Sequence, residues 1–138
     1  MSASRLFRQH VLSLLTFLDF GDPAAVPERD VLTLELDGDR VLHLVLLSED
    51  AWMLLVELPF AADPEHCLRL NQPDGEAAQA IIGLGADGRS LLWLRLPLTG
   101  CGETEAREAL QSLLRQSAEL LASGAEAIAD ARAAGALA

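Results

Sequence analysis

The sequence contains no lysine; its ten cations are all arginines. That absence excludes a Walker A phosphate loop, a Schiff-base lysine and a Ser-x-x-Lys nucleophile, each of which needs an ammonium at a fixed place. Positive charge is scarce altogether, since 21 acidic residues leave a formal net charge of −11. Phosphate backbones and anionic lipid surfaces repel such a chain, so neither nucleic acid nor membrane is an expected partner. Cysteine is nearly missing as well. Cys67 and Cys101 stand far apart and read as free, packed thiols. His66 adjoins Cys67, but neighbouring side chains diverge and no third group orients them, so no nucleophile–base pair is expected. His10, His43 and His66 have no metal-ligand spacing between them. No apolar run approaches the ~20 residues needed to cross a bilayer. The opening "MSASRLFRQHVLSLLTFL" is interrupted by Arg8 and His10 and lacks an A-x-A-like exit. It reads as a helix rather than a signal peptide, which makes a cytoplasmic location the expectation. Neither G-x-S-x-G nor H-E-x-x-H occurs, so no catalysis and no cofactor are expected.

What is present is apolar: 51% of the 138 residues are hydrophobic, enough for one globular domain with a modest core. Leu6, Phe7, Val11, Leu14, Leu15 and Leu18 recur at helical spacing over residues 4–20, with Ser2 or Ser4 as a cap. The stretch "GDPAAVPERD" then reads as a loop. In "VLTLELDGDRVLHLVLLSEDAWMLLVELPF" Leu32, Leu34 and Leu36 alternate with Val31, Thr33 and Glu35, the pattern of a half-buried strand. Asp37-Gly38-Asp39 makes a turn, and strands over 40–47 and 51–58 follow. Glu35, Asp37 and Asp39 fail the calcium-loop pattern because Arg40 follows, so they read as a solvated turn. Asp63-Pro64 opens a short helix through Leu70, stopped at Pro73-Asp74-Gly75. The last helix carries Leu110, Leu113, Leu114, Ser117, Leu120 and Leu121, with Thr104 as a cap and Gly124 as its terminator. Residues 1–124 form the expected domain and the alanine-rich 125–138 a tail.

Gly83, Gly85 and Gly88 fall at the G-x-G-x-x-G spacing of dinucleotide-binding loops. That fingerprint acts only where a helix follows the last glycine and turns its N-terminus to the pyrophosphate. Here Leu91 to Leu96 follow, and Pro97 forbids a continuing helix. The glycines therefore mark a hairpin between strands over 80–84 and 91–96, and no nucleotide site is expected.

The order of elements is α-β-β-β-α-β-β-α, an α+β domain with an antiparallel sheet. It resembles the class I chaperones of bacterial type III secretion over roughly residues 5–123. The resemblance is carried by the hairpin "LTLELDGDRVLHL", by "CLRLNQ" with its helix ending at Leu70-Asn71, by "IIGLGADGRSLLWLRLPL", and by the final leucine-striped helix. Gln72 departs from the aromatic residue common after that Asn. Size and acidity are similar to those of chaperones that serve a phospholipase-type effector. The resemblance implies a homodimer that binds the N-terminal segment of a cognate effector in extended form and uses no ATP. Alternatives are a dimeric adaptor that sequesters a secretion regulator, or a small-ligand-binding domain.

Val41, Val45, Leu47, Met53 and Leu55 make the second face of the strands apolar too, and apolar surface left over on a chain this small points to a partner or a self-interface. Leu14, Leu18, Leu34 and Leu44 are the expected contacts for the partner segment. Leu68, Leu70, Trp93 and Arg95 are expected in the dimer interface, where aromatic and arginine anchors are favoured.

Overall fold

The computed structural model describes residues 2–19, 30–72 and 80–133, the side chains of 125–133 excepted. Residues 21–29 of the expected loop, the Pro73-Asp74-Gly75 stop and the last residues of the tail lie outside them. The described elements run α1 (Ala3–Phe17), β1 (Val31–Glu35), β2 (Val41–Leu46), β3 (Ala51–Glu57), α2 (Pro64–Leu70), β4 (Ile81–Leu84), β5 (Ser90–Pro97) and α3 (Glu103–Ala133). All strand pairings are antiparallel and the sheet order is β1-β2-β3-β5-β4. This is the α+β order read from the sequence.

Local chemistry accounts for each boundary. The Ser2 hydroxyl accepts the Arg5 N–H at 3.3 Å and starts α1. Asp63 does the same for His66 at 3.2 Å, with Pro64 at the first helical position of α2. Asp87 and Gly88 turn the β4–β5 hairpin: Gly85 N–H donates to Arg89 O at 2.8 Å, and Gly88 takes a positive φ of 82°. The three glycines thus sit in a strand–turn–strand unit with no helix behind them.

Register divides the strands into two faces. Leu32, Leu44, Leu54 and Leu94 share one row across β1, β2, β3 and β5, and Leu42, Val56, Leu92 and Ile82 another. These side chains are buried beneath α1 and α3, which supply Phe7, Val11, Leu14, Ala109, Leu110 and Leu113. Trp52 lies at the centre, fully buried, edge-on to Phe7 at 6.2 Å and stacked on His10 at 4.8 Å. His10 Nε2 also hydrogen-bonds Leu98 O at 3.0 Å, tying α1 to the end of β5.

The β1–β2 turn is fastened to α3. Arg40 Nη1 donates to Ser117 Oγ at 2.8 Å and to Leu114 O at 3.2 Å, which satisfies a serine hydroxyl buried on the core side of α3. Gly38, at φ 74°, sits so close to Leu121 that a Cβ would collide with that side chain. Gly38→Ala is therefore expected to lower stability by about 1–2 kcal/mol, the cost of a left-handed L-residue, before any collision is added. Urea unfolding at equal m-value measures it.

Two sequence expectations are corrected at α3. Thr104 lies inside the helix, which starts at Glu103, and Gly124 does not end it. The helix continues to Ala133 because alanine is the strongest helix former and nothing over 125–133 interrupts it. Gly124 has a packing role instead: the Phe60 ring occupies the space where its Cβ would be.

Candidate functional site

Both helices of the core lie on one face of the sheet, and among the described residues no element covers the other. That outer face carries three rows. Val31, Val45, Met53 and Arg95 form one; Thr33, His43, Leu55, Trp93 and Ile81 the next; Glu35, Val41, Glu57, Leu91 and Gly83 the third. Val31 and Ile81 are exposed, while Val41, Val45, Met53, Leu55, Leu91 and Trp93 are half-buried. Gly83 lies under Trp93: a Cβ there would approach the indole at 3.0 Å, so the glycine lets the ring lie flat across β4.

One polar strip crosses this face. Thr33 Oγ1 and His43 Nδ1 are hydrogen-bonded at 2.9 Å, and His43 Nε2 stands 3.4 Å from Glu57 Oε2. The strand expected over 40–47 contains His43, but without the partners that the structure gives it. The signal was present, since a turn at Asp37–Asp39 sets Thr33 opposite His43.

The two edges of the sheet differ. At the two ends of β1, Leu36 N–H donates to Arg40 O and Leu46 N–H donates to Asp30 O, both at 2.8 Å. Antiparallel alternation then turns the N–H and C=O groups of Val31, Thr33 and Glu35 away from β2, toward the open edge. Among the described residues nothing pairs with them. Beside that edge, on the inner face, Leu34 and Leu36 are only half-buried. A cleft of about 290 Å³ lies there, lined by Glu35, Leu36, Asp37, Arg40, Leu114 and Ala118. At the opposite edge, α2 packs on β4, and the Asn71 side chain bonds both backbone groups of Ile82 at 2.8 Å.

The leucines expected to meet a partner segment are not brought into one patch. Leu14 and Leu44 are fully buried in the core, Leu34 lies at the β1 side, and Leu18 caps the C-terminal end of α1. The opposite end of α1 is tied to the start of β1 by the Ser4–Asp30 hydrogen bond at 3.1 Å. Of the residues expected in a dimer interface, Leu70 packs against the core beside α3, while Leu68 is exposed. Trp93 and Arg95 lie on the outer face of β5, Trp93 pairs with Ile81, and α2, which carries Leu68 and Leu70, packs on β4. Leu68 is 71% exposed and Leu84 69%, the two most exposed large apolar side chains described.

Neither cysteine is activated by its surroundings. Burial pushes the Cys101 thiol up and Glu105 adds to the rise; burial and then Asp63 do the same to Cys67. Both thiols are therefore less nucleophilic at neutral pH than a free cysteine. Among the described residues no three His, Cys, Asp or Glu side chains converge as a metal ion would require, and no helix is long and apolar enough to cross a membrane.

The model of the Tir chaperone protein (CesT) family matches residues 9–121. No curated protein matches the sequence. Among solved structures, a chain of the ExoT–SpcS complex from Pseudomonas aeruginosa superposes with a TM-score of 0.65 at 23% identity, covering 83% of this chain and 97% of that one. A chain of the Yersinia pestis type III secretion chaperone SycH in complex with a fragment of YscM2 gives 0.62 at 18%, covering 86% and 99%. The heterodimeric ExoU–SpcU complex of the Pseudomonas aeruginosa type III secretion system gives 0.56 at 18%, covering 67% and 81%. At these identities the likeness is one of fold.

Proposed function

This chain belongs to the Tir chaperone protein (CesT) family, and we propose that it is a type III secretion chaperone serving a cognate effector. It binds the effector's N-terminal segment in extended form, keeps that segment soluble and competent for export, and needs no nucleotide or cofactor to do so. It is a binding protein, not an enzyme, and it works in the cytoplasm.

The observation that carries the reading is the open edge of β1 beside half-buried Leu34 and Leu36. A segment laid along that edge satisfies its backbone on Val31, Thr33 and Glu35. Its alternate side chains then fall toward the cleft on the inner face and toward Thr33 and His43 on the outer. Main-chain pairing supplies affinity that tolerates many sequences, and leucine-lined space tolerates many side-chain shapes. The relatives support the same role, because ExoT, YscM2 and ExoU each share a structure with a chain of this fold.

The test is to isolate the protein that co-purifies from secreting cells, synthesise its N-terminal segment, and measure binding and the segment's amide protection. A segment that binds with alternating amides protected, and with shifts at β1, supports the proposal. Binding that leaves β1 unperturbed would overturn it.

Self-association belongs to the other end of the sheet. At that end α2 exposes Leu68, and the outer face presents Ile81 beside Trp93, apolar surface away from the β1 edge. A second copy covering this surface makes the homodimer, with Leu70 and Arg95 at its margins. Leu68→Arg is expected to convert the dimer to monomer in sedimentation equilibrium while the far-UV spectrum is unchanged, because a side chain 71% exposed in the single chain has little folding role.

A further inference from the structure

We infer that Asn71 closes the β4 edge of the sheet, so that each protomer offers a single edge, β1, to an incoming strand. The inference rests on the reading of β1 as the docking edge and adds why the other edge does not compete. A sheet has two edges, and each is a template for pairing unless something blunts it. In β4, Gly85 N–H bonds back to Arg89 O, so Gly83 and Ile81 face β5 while Ile82 and Leu84 point their backbone groups outward. Ile82 is the inner of these two positions. Its N–H donates to Asn71 Oδ1 and its C=O accepts from Asn71 Nδ2, both at 2.8 Å.

A carboxamide presents the same donor–acceptor pair as a peptide group, so Asn71 occupies the place of one residue of a neighbouring strand. Among the described residues of β4 only Leu84 is left as an outward pair on a strand four residues long, and one pair does not make a ladder. Asn71 is held there by its position at the end of α2, where its own N–H donates to Cys67 O at 3.0 Å. Glutamine would carry the amide one methylene too far, aspartate would set a carboxylate against the Ile82 carbonyl, and alanine would leave both groups bare. The consequence for assembly is direct. Two protomers meeting at the α2–β4 end associate through side chains and cannot merge their sheets, and a partner segment has one strand-pairing site per protomer.

Backbone hydrogen exchange on the chain alone tests this, so a partner segment that fails to bind at β1 leaves the result standing. In the wild-type protein the Ile82 amide is expected to be protected to the level of the β4–β5 ladder, while the Val31, Thr33 and Glu35 amides exchange quickly. Asn71→Ala should speed exchange at Ile82 roughly tenfold, the net effect of one hydrogen bond near the upper end of its usual range. The same variant should sediment as species larger than the wild type, through the opened edge. Asn71→Asp, which retains the acceptor for Ile82 N–H, should keep most of that protection; it also decides the matter if the alanine variant fails to fold. Ile82 exchanging as fast as Val31 in the wild type would overturn the inference. So would loss of protection in Asn71→Ala with unchanged sedimentation, because the edge would then be open and still unpaired.

Discussion

Replacing Thr33 by proline is expected to weaken binding of the partner's extended segment on the order of 100-fold while the domain stays folded. Thr33 sits in the middle of β1 with its N–H turned to the open edge, so proline there removes no hydrogen bond to β2. Leu32, which precedes it, is already in the extended conformation that a following proline demands. The substitution therefore acts on the added strand and not on the ladder within the domain. It deletes the central outward donor and sets a ring against the incoming backbone. Losing one bond outright and misaligning its two neighbours, at roughly 0.5–1.5 kcal/mol each, amounts to a fall in affinity on the order of 100-fold. Thr33 also bonds His43, so Thr33→Val is the control: it loses the same side-chain bond and keeps the N–H. Titration calorimetry with the segment should show near-normal affinity for Thr33→Val and affinity on the order of 100-fold weaker for Thr33→Pro. Equal affinities for the two variants would place the segment elsewhere than on the β1 edge.

Trp52→Ala is expected to be the most destabilising single change in the domain. The indole is fully buried, meets Phe7 edge-on and stacks on His10, so it is the contact through which α1 is seated on β3. Truncating a buried tryptophan costs about 3–5 kcal/mol in transfer free energy and cavity, a large share of the roughly 5–15 kcal/mol available to a domain. At this chain length that corresponds to a Tm lower by about 10–15 °C. Loss of the His10 stack also loosens its hydrogen bond to Leu98 O, so α1 should lose protection against exchange before the β3–β5 ladder does. A melting curve within a few degrees of wild type would show that α1 is held by something other than Trp52.

Period and punctuation made the fold legible. Alternation in "VLTLELDGDRVLHL" set both the strands and their register, because a short turn at Asp37–Asp39 leaves little freedom in pairing. Pro97 settled the glycine stretch, since it permits a strand end and forbids a helix. Gly124 misled because a glycine after a leucine stripe resembles a terminator, and only the Phe60 ring from a distant loop explains why it stands within a helix. The docking residues were harder to read for a related reason. Apolar periodicity marks Leu14, Leu18, Leu34 and Leu44 alike, yet which of them meets solvent depends on where α1 and α3 stop covering the sheet. The edge-capping role of Asn71 has no local pattern at all. It depends on bringing the end of α2 against a strand that begins ten residues later in the chain.

The outer face of the sheet, which no element among the described residues covers, has a colloidal consequence. A single layer of helices on a five-stranded sheet leaves apolar rows that would drive copies of the chain together face to face. What opposes this is long-range repulsion: at a net charge of −11, approaching copies experience like-charge work well before their apolar rows touch. The Debye length of about 8 Å at physiological ionic strength lets that repulsion reach across the encounter distance, and about 3 Å in molar salt does not. The acidity of the sequence thus serves as a dispersant for a protein whose surface stays unfinished until a partner arrives.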